Sequence, residues 1–124
     1  MQSYPSVVVY PIHRDIFLIT LIFPSGATRA EGILQLVHSD VFGPVSVPSL
    51  GKSIYHVSFI DDFSRKTWIY FLRKKFEVFD RFKEFKALVE NQTEKIIKVM
   101  RTDNGEEFYG NEFEEFCKKC GIER

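Results

Sequence analysis

The amino-acid sequence predicts an α/β fold in which helices pack against one mixed β-sheet. Short runs rich in β-branched and aromatic residues alternate with segments whose apolar residues recur at helical spacing. The hydrophobic fraction of 44% is sufficient for a buried core and is unlike that of disordered chains. A length of 124 residues is typical of a single domain.

Residues 1–22 differ in character from the rest and form an unassigned leader before the predicted domain, which covers residues 23–124. They hold almost no charge and follow no clear period, which is compatible with an additional strand, a disordered leader or an artefact of where the reading frame begins. The apolar run at residues 16–24 is too short to span a bilayer, and no convincing signal peptide accompanies it. We therefore expect no membrane partner.

Three strands are predicted in the first half of the domain. Residues 33–41 (ILQLVHSDV) alternate well enough for a strand with apolar residues on both faces. Residues 43–51 (GPVSVPSLG) contain two prolines and two glycines and are predicted to be a loop. Residues 55–60 (YHVSFI) and 67–72 (TWIYFL) are β-rich, and residues 61–66 between them are typical of a hairpin connection. Short links of this kind predict an antiparallel meander.

A helix and a fourth strand are predicted next. Phe76, Phe79, Phe82 and Val89 belong to an apolar stripe at intervals of three to four residues, which predicts a helix. Residues 95–101 (KIIKVMR) then predict a short strand that ends in a TDNG turn. A helix between two strands permits a crossover, so the sheet is expected to be mixed.

The last predicted element is a helix that begins near Asn111. Asn111 is expected to cap it, with Glu114 as its partner in a capping box. Cys117 and Cys120 lie on the apolar stripe of this helix, and Gly121 fits the position that ends it. Without further zinc ligands nearby, the two cysteines are interpreted as core residues and not as a metal or redox site.

Asp40 and Asp103 are the candidate metal-binding and catalytic residues. Asp40 ends the first predicted strand and Asp103 follows the fourth, 63 residues later, so only folding brings them together. Two carboxylates with open coordination positions suit Mg²⁺, and paired ions of this kind can align the oxygens of a phosphodiester displacement. The alternative is that both are ordinary turn-favouring aspartates at strand ends.

Three other polar residues receive structural interpretations. Asp61 and Asp62 are adjacent, so in a strand they would point to opposite faces, and a role in the turn is favoured over a shared metal site. His38 lies two residues before Asp40 on the same strand face. It is interpreted as a packed residue, with support of Asp40 or contact with a phosphate as the alternatives.

Three sequence blocks, LVHSDVFGP, FIDDFSRKTWIYFL and RTDNGEEF, resemble the integrase region of Pol polyproteins from copia-type LTR retrotransposons. The resemblance implies an RNase H-like fold and a D, D, E triad that binds Mg²⁺ or Mn²⁺. Asp40, in HSDV, and Asp103, in TDNG, match the first two triad positions. The chain ends 21 residues after Asp103, and no glutamate in that stretch matches the third position. The fold is accordingly expected to be partial, without its C-terminal part.

The same resemblance implies metal-dependent integration of DNA, with 3′-end processing and strand transfer, in the nucleus and in a homo-oligomer. Composition adds no support for DNA binding, since 17 basic and 17 acidic residues give a net charge of zero. The family's His/Cys zinc module is not found in residues 1–22, and its usual TDNGG is TDNGE here. We expect this fragment to be inactive as an enzyme. The alternative is a degenerate remnant or interaction module that binds metal or nucleic acid weakly.

Overall fold

Six strands and two α-helices make up the computed structural model, which describes residues 6–13, 16–22, 30–47, 52–102 and 110–124. A 3₁₀ turn over Lys75–Glu77 leads into the first helix. The elements in chain order are β1 (Ser6–His13), β2 (Ile16–Ile22), β3 (Leu36–Val47), β4 (Lys52–Asp61), β5 (Lys66–Leu72), α1 (Val78–Thr93), β6 (Val99–Thr102) and α2 (Asn111–Cys120).

All six strands belong to one mixed sheet with the order β1-β2-β5-β4-β3-β6. β3, β4 and β5 form the expected antiparallel meander, and β6 pairs with β3 in parallel. Helix α1 lies in the connection from β5 to β6, because parallel pairing requires a long crossover. β3, the first strand of the predicted domain, lies between β4 and β6, and the predicted α/β class with a mixed sheet is confirmed.

Residues 1–22 contribute two strands to this sheet. β1 and β2 pair antiparallel, and β2 extends the meander by pairing antiparallel with β5. In the register, Leu18 lies opposite Trp68, and Ile16 lies opposite Tyr70. Of the interpretations offered for residues 1–22, the additional strand is therefore the one observed, and two such strands form a hairpin at the edge of the sheet.

The core forms between one face of the sheet and helix α1. Strand alternation brings Val57, Phe59 and Tyr70 to the helix-facing side, where all three are buried. Phe85 of α1 stacks on Phe59 with ring centroids 4.4 Å apart. Phe82 of the same helix stacks on Phe113 of α2 at 5.0 Å, which joins the second helix to this core.

The predicted strand boundaries are wrong in several places, among them the start of β4, which is Lys52 and not residue 55. β3 continues through residues 43–47, which were expected to be a loop, because a bulge between Phe42 and Val45 accommodates Gly43 and Pro44. A bulge leaves a residue out of the hydrogen-bond ladder, so a proline can occupy it without losing a bond. β3 starts at Leu36 and not at residue 33, and β6 starts only at Val99.

Two details of the helices also differ from prediction. Phe76 is not part of the apolar stripe, since it lies in the 3₁₀ turn and is exposed. Gly110, and not Asn111, is the N-cap of α2, and its carbonyl accepts the backbone N–H of Glu114, so no capping box forms. The expected C-cap is confirmed, because Gly121 adopts the left-handed conformation with φ of 74°. No helix in the described ranges is long and apolar enough to cross a membrane.

Candidate functional site

Asp40 lies inside β3, so the prediction that it ends its strand is wrong, and β3 is the neighbour of β6, the strand that ends just before Asp103. β3 and β6 run parallel, and their register pairs His38 with Arg101 and Ser39 with Thr102. Asp40 is the residue after Ser39, and Asp103 is the residue after Thr102. Asp103 itself lies outside the described residues, so its pairing with Asp40 stays a prediction.

An open cavity of about 350 Å³ lies at this edge of the sheet. Asp40 pairs with Ser58, and His38 pairs with Ile60. Strand alternation places both pairs on the face of the sheet that points away from α1, where they form walls of the cavity. The cavity is lined by His38, Ser39, Asp40, Ser58, Ile60, Arg101 and Thr102. Most of its lining residues are polar, and they include one carboxylate and one guanidinium.

The Asp40 carboxylate is half-buried at the cavity wall. One oxygen, Oδ1, accepts the backbone N–H of Val41 at 2.9 Å, which orients the group. Within the described ranges no lysine or arginine forms an ion pair with it. A carboxylate oxygen that faces water without a protein cation fits the ligand preference of Mg²⁺. The described residues supply this single carboxylate and include no group of three or more potential metal ligands.

His38 is fixed by a buried carboxylate. Its Nε2 lies 2.9 Å from Oδ1 of Asp62, whose side chain is only 4% exposed. Oδ2 of Asp62 accepts the backbone N–H of Ala30 at 2.8 Å, and Arg65 lies 3.9 Å away. The His38 side chain is also 35% exposed and lines the cavity, so this geometry does not decide between a packed residue and support of Asp40 or contact with a phosphate. The pairing with Asp62 was missed because 24 residues separate the two in sequence and only the β3–β4 register brings them together.

Asp61 belongs to the turn, as its sequence context indicated. It is fully buried, and Oδ2 accepts the backbone N–H of Ser64 at 2.9 Å and the Ser64 hydroxyl at 2.6 Å. Oδ1 accepts the backbone N–H of Leu34 at 2.9 Å. Asp61 and Asp62 therefore hold the β4–β5 turn against the segment before β3, and neither lines the cavity at Asp40.

Two groups with shifted pKa values lie away from this cavity, and burial explains both shifts. The Tyr70 hydroxyl is buried beneath α1, and loss of solvent raises the pKa of this phenol well above its usual range, with a smaller contribution from Glu84. Burial likewise raises the pKa of the Cys117 thiol. Cys117 is buried in the core and Cys120 packs against it, so their predicted core positions agree with the structure.

Comparison with known families gives one match that covers most of the chain. Residues 31–124 match the family model described as the integrase core domain. The retrovirus-related Pol polyprotein from transposon TNT 1-94 of Nicotiana tabacum is 48% identical over 100 residues, which cover 81% of this chain and 8% of that protein. The Pol polyprotein from transposon RE2 of Arabidopsis thaliana is 41% identical over 86 residues, covering 69% of this chain and 6% of that protein.

A solved structure supports the fold independently of close sequence similarity. The cryo-EM structure of a simian T-cell lymphotropic virus intasome in complex with the PP2A regulatory subunit B56 gamma aligns over 93% of this chain and 37% of the matched chain. The TM-score is 0.63 and the sequence identity is 16%. The likeness agrees with the predicted RNase H-like α/β fold. The present chain spans less than a tenth of the curated relatives described above.

Proposed function

Because the chain belongs to the integrase core domain family found in retrotransposon Pol polyproteins, we propose that Asp40 and Asp103 are two of the metal-binding carboxylates of a DNA integration site. The proposed reaction is polynucleotidyl transfer, in which water or a DNA 3′-hydroxyl attacks a phosphodiester. The proposed partners are the ends of the element and a target DNA, within a nuclear homo-oligomer. The proposed cofactor is Mg²⁺ or Mn²⁺.

The parallel pairing of β3 with β6 is the observation that carries this proposal. The last paired residues, Ser39 and Thr102, immediately precede the two carboxylates. Continuation of that register by one residue would set Asp40 opposite Asp103 on the face that carries His38 and Arg101. Two carboxylates at that spacing would repel each other, and a divalent cation between them would offset the repulsion.

The residues of this chain contribute charge and orientation to the proposed chemistry. Bound divalent ions would supply Lewis-acid stabilisation of the attacking and leaving oxygens. The backbone N–H of Val41 orients the Asp40 carboxylate, and the carboxylate offers its remaining lone pairs to a cation at the cavity. Arg101 contributes a permanent positive charge to the same cavity, where it suits the approach of a phosphodiester.

Replacement of Asp40 by asparagine tests the metal site directly. We expect Asp40→Asn to weaken Mn²⁺ binding by about 100-fold, because the loss of a ligating carboxylate exceeds the effect typical of outer-shell changes. Asp103→Asn is expected to do the same. Titration of Mn²⁺ followed by electron paramagnetic resonance measures the affinity. Asp80→Asn, on the exposed side of α1, removes one carboxylate elsewhere and serves as the matched control. Equal affinities in wild type and Asp40→Asn would contradict the proposal.

The polypeptide of residues 1–124, tested by itself, is expected to give no strand transfer and no 3′ processing. The two-ion mechanism requires both ions to be fixed, and none of the glutamates after Asp103 matches the family's third carboxylate. Assays with labelled DNA ends in Mg²⁺ and in Mn²⁺ measure both reactions. Products that form with wild type and disappear with Asp40→Asn would show that another carboxylate, such as Glu107 or one from a second chain, completes the site.

A second candidate function is a non-catalytic domain that binds metal or nucleic acid weakly, either as a degenerate remnant or as an interaction module. It is favoured by the sequence, in which no glutamate after Asp103 matches the family's third carboxylate. Mn²⁺ binding that depends on Asp40 without any transfer product, even after a matching glutamate-bearing segment is supplied, supports this candidate. Restored transfer supports the integrase site.

A further inference from the structure

A basic, aromatic turn stands out on the surface between β5 and α1. Arg73, Lys74, Lys75 and Phe76 are consecutive and exposed, and we refer to residues 73–76 as the basic turn. Phe76 is 74% exposed, which is the highest value for a large apolar side chain in the described part of the chain. An exposed phenylalanine does not gain the hydrophobic free energy of burial, so this side chain contributes little to the stability of the fold. The chain as a whole has zero net charge, which makes this local basic excess distinct.

The cations of the basic turn are associated with aromatic rings. Nζ of Lys74 lies 5.6 Å from the ring centroid of Phe76, and Nζ of Lys75 lies 5.7 Å from that of Tyr55. Both distances are within cation–π range. Among the described residues, no carboxylate forms an ion pair with Arg73 or Lys74. Their charges are therefore available to an anionic partner, and the Phe76 ring presents a free stacking surface beside them.

The basic turn follows β5 and leads into α1, whereas Asp40 lies inside β3 on the face of the sheet opposite α1. β3 and β5 both pair antiparallel with β4, so they run in the same direction and end at the same edge. In the register, Ser58 of β4 lies opposite Asp40 of β3 on one side and opposite Ile69 of β5 on the other. β5 ends at Leu72, three residues after Ile69. Two strand spacings and three residue rises amount to roughly 15 Å across the sheet.

We infer that the basic turn binds a single-stranded segment of nucleic acid. The inference rests on the proposed function and adds a contact surface to it. Arg73 and Lys74 contact phosphates, and an unpaired base stacks on Phe76. A single strand is specified because the bases of a duplex already stack on each other, whereas unpaired bases offer a free face to an aromatic side chain.

Phe76→Ala in the full 124-residue chain tests how much the Phe76 ring contributes to single-strand binding. Fluorescence anisotropy with a labelled single strand of about 16 nucleotides gives the dissociation constant. Stacking of one base predicts a loss of affinity of about tenfold for Phe76→Ala. Phe76→Trp is expected to retain the affinity of wild type. Phe63, 45% exposed in the β4–β5 turn, provides the control, and Phe63→Ala is expected to bind as wild type does.

The charge contribution is tested by the double variant Arg73→Gln, Lys74→Gln. Loss of two phosphate contacts is expected to reduce the slope of log affinity against log salt concentration by about 1.4 for a single strand. The control is Lys95→Gln, Lys98→Gln, which removes the same charge from two exposed lysines before β6, at the opposite edge. That control is expected to leave the slope unchanged.

The outcomes separate this inference from the proposed metal site. Absence of single-strand binding by wild type, or equal binding by wild type and Phe76→Ala, overturns the inference, while Mn²⁺ titration of Asp40→Asn still tests the proposed function. Equal affinity of wild type for a duplex of the same sequence also overturns it. Tighter binding to phosphatidylserine vesicles than to DNA, lost in Phe76→Ala, overturns it in favour of a membrane surface.

Discussion

Replacement of Asp61 by alanine is expected to lower the free energy of unfolding by about 4 kcal/mol. Asp61 is fully buried, and its carboxylate accepts the hydrogen bonds of the Ser64 backbone, the Ser64 hydroxyl and the Leu34 backbone. Truncation leaves these donors without their acceptor, and the Leu34 backbone N–H is buried. A buried donor without a partner costs about 1–3 kcal/mol.

The position of Leu34 adds to this expectation. Leu34 is buried and has φ of 64°, a left-handed conformation that costs energy in a residue with a side chain. The bond from its N–H to Asp61 helps to hold that conformation. Loss of Asp61 therefore releases both the β4–β5 turn and the entry to β3, the strand that carries Asp40.

Urea unfolding followed by circular dichroism measures the change in free energy. Asp61→Asn retains one acceptor oxygen and is expected to lose less stability than Asp61→Ala. Asp80→Ala removes an exposed carboxylate with one surface ion pair to Lys83, and a change below about 1 kcal/mol is expected there. A loss below about 1 kcal/mol for Asp61→Ala would show that water replaces the missing acceptor and that the turn is not held by this carboxylate.

Replacement of Phe85 by alanine is the second change with a large expected effect, at about 4 kcal/mol of destabilisation. Phe85 is fully buried, stacks on Phe59 at 4.4 Å and meets the edge of Trp68 at 5.3 Å. These contacts join α1 to β4 and β5. Alanine removes the apolar surface of the ring and leaves a cavity that rigid neighbouring rings fill only in part.

Phe76→Ala is the matched control for this substitution, because it removes the same ring from an exposed position just before α1. A change within about 0.5 kcal/mol is expected for it. Phe85→Leu retains part of the side-chain volume, and its loss of stability is expected to lie between those of Phe85→Ala and Phe76→Ala. The midpoint of urea unfolding ranks all three proteins. Equal losses for Phe85→Ala and Phe76→Ala would contradict the assignment of Phe85 to the core.

Local patterns in the sequence predicted most elements of the fold, because each pattern depends on residues that are close along the chain. Alternation identified β4 and β5, and helical spacing identified α1 and α2. The helical stripe failed at Phe76, where spacing alone does not distinguish a helix from the turn that leads into it. Pro44 failed as a strand terminator, because a bulge removed the need for its missing N–H.

The sequence itself indicated the family and supplied the two candidate carboxylates, whose metal-binding role stays a prediction. The motifs around Asp40 and Asp103 identified both residues, and the family match over residues 31–124 bears out the resemblance that those motifs indicated. Candidate metal-binding carboxylates can be predicted from sequence because the motif consists of the side-chain type and its immediate neighbours along the chain.

The tertiary structure alone decided which residues meet. It set β6 beside β3, joined His38 to Asp62 across 24 residues, and brought Asp61 to the Leu34 backbone across 27 residues. It also left Phe76 exposed beside Lys74 in the turn between β5 and α1. Such pairings depend on the order and register of the strands. Order and register are determined by burial of the whole apolar face of the sheet, and not by any local run of residues.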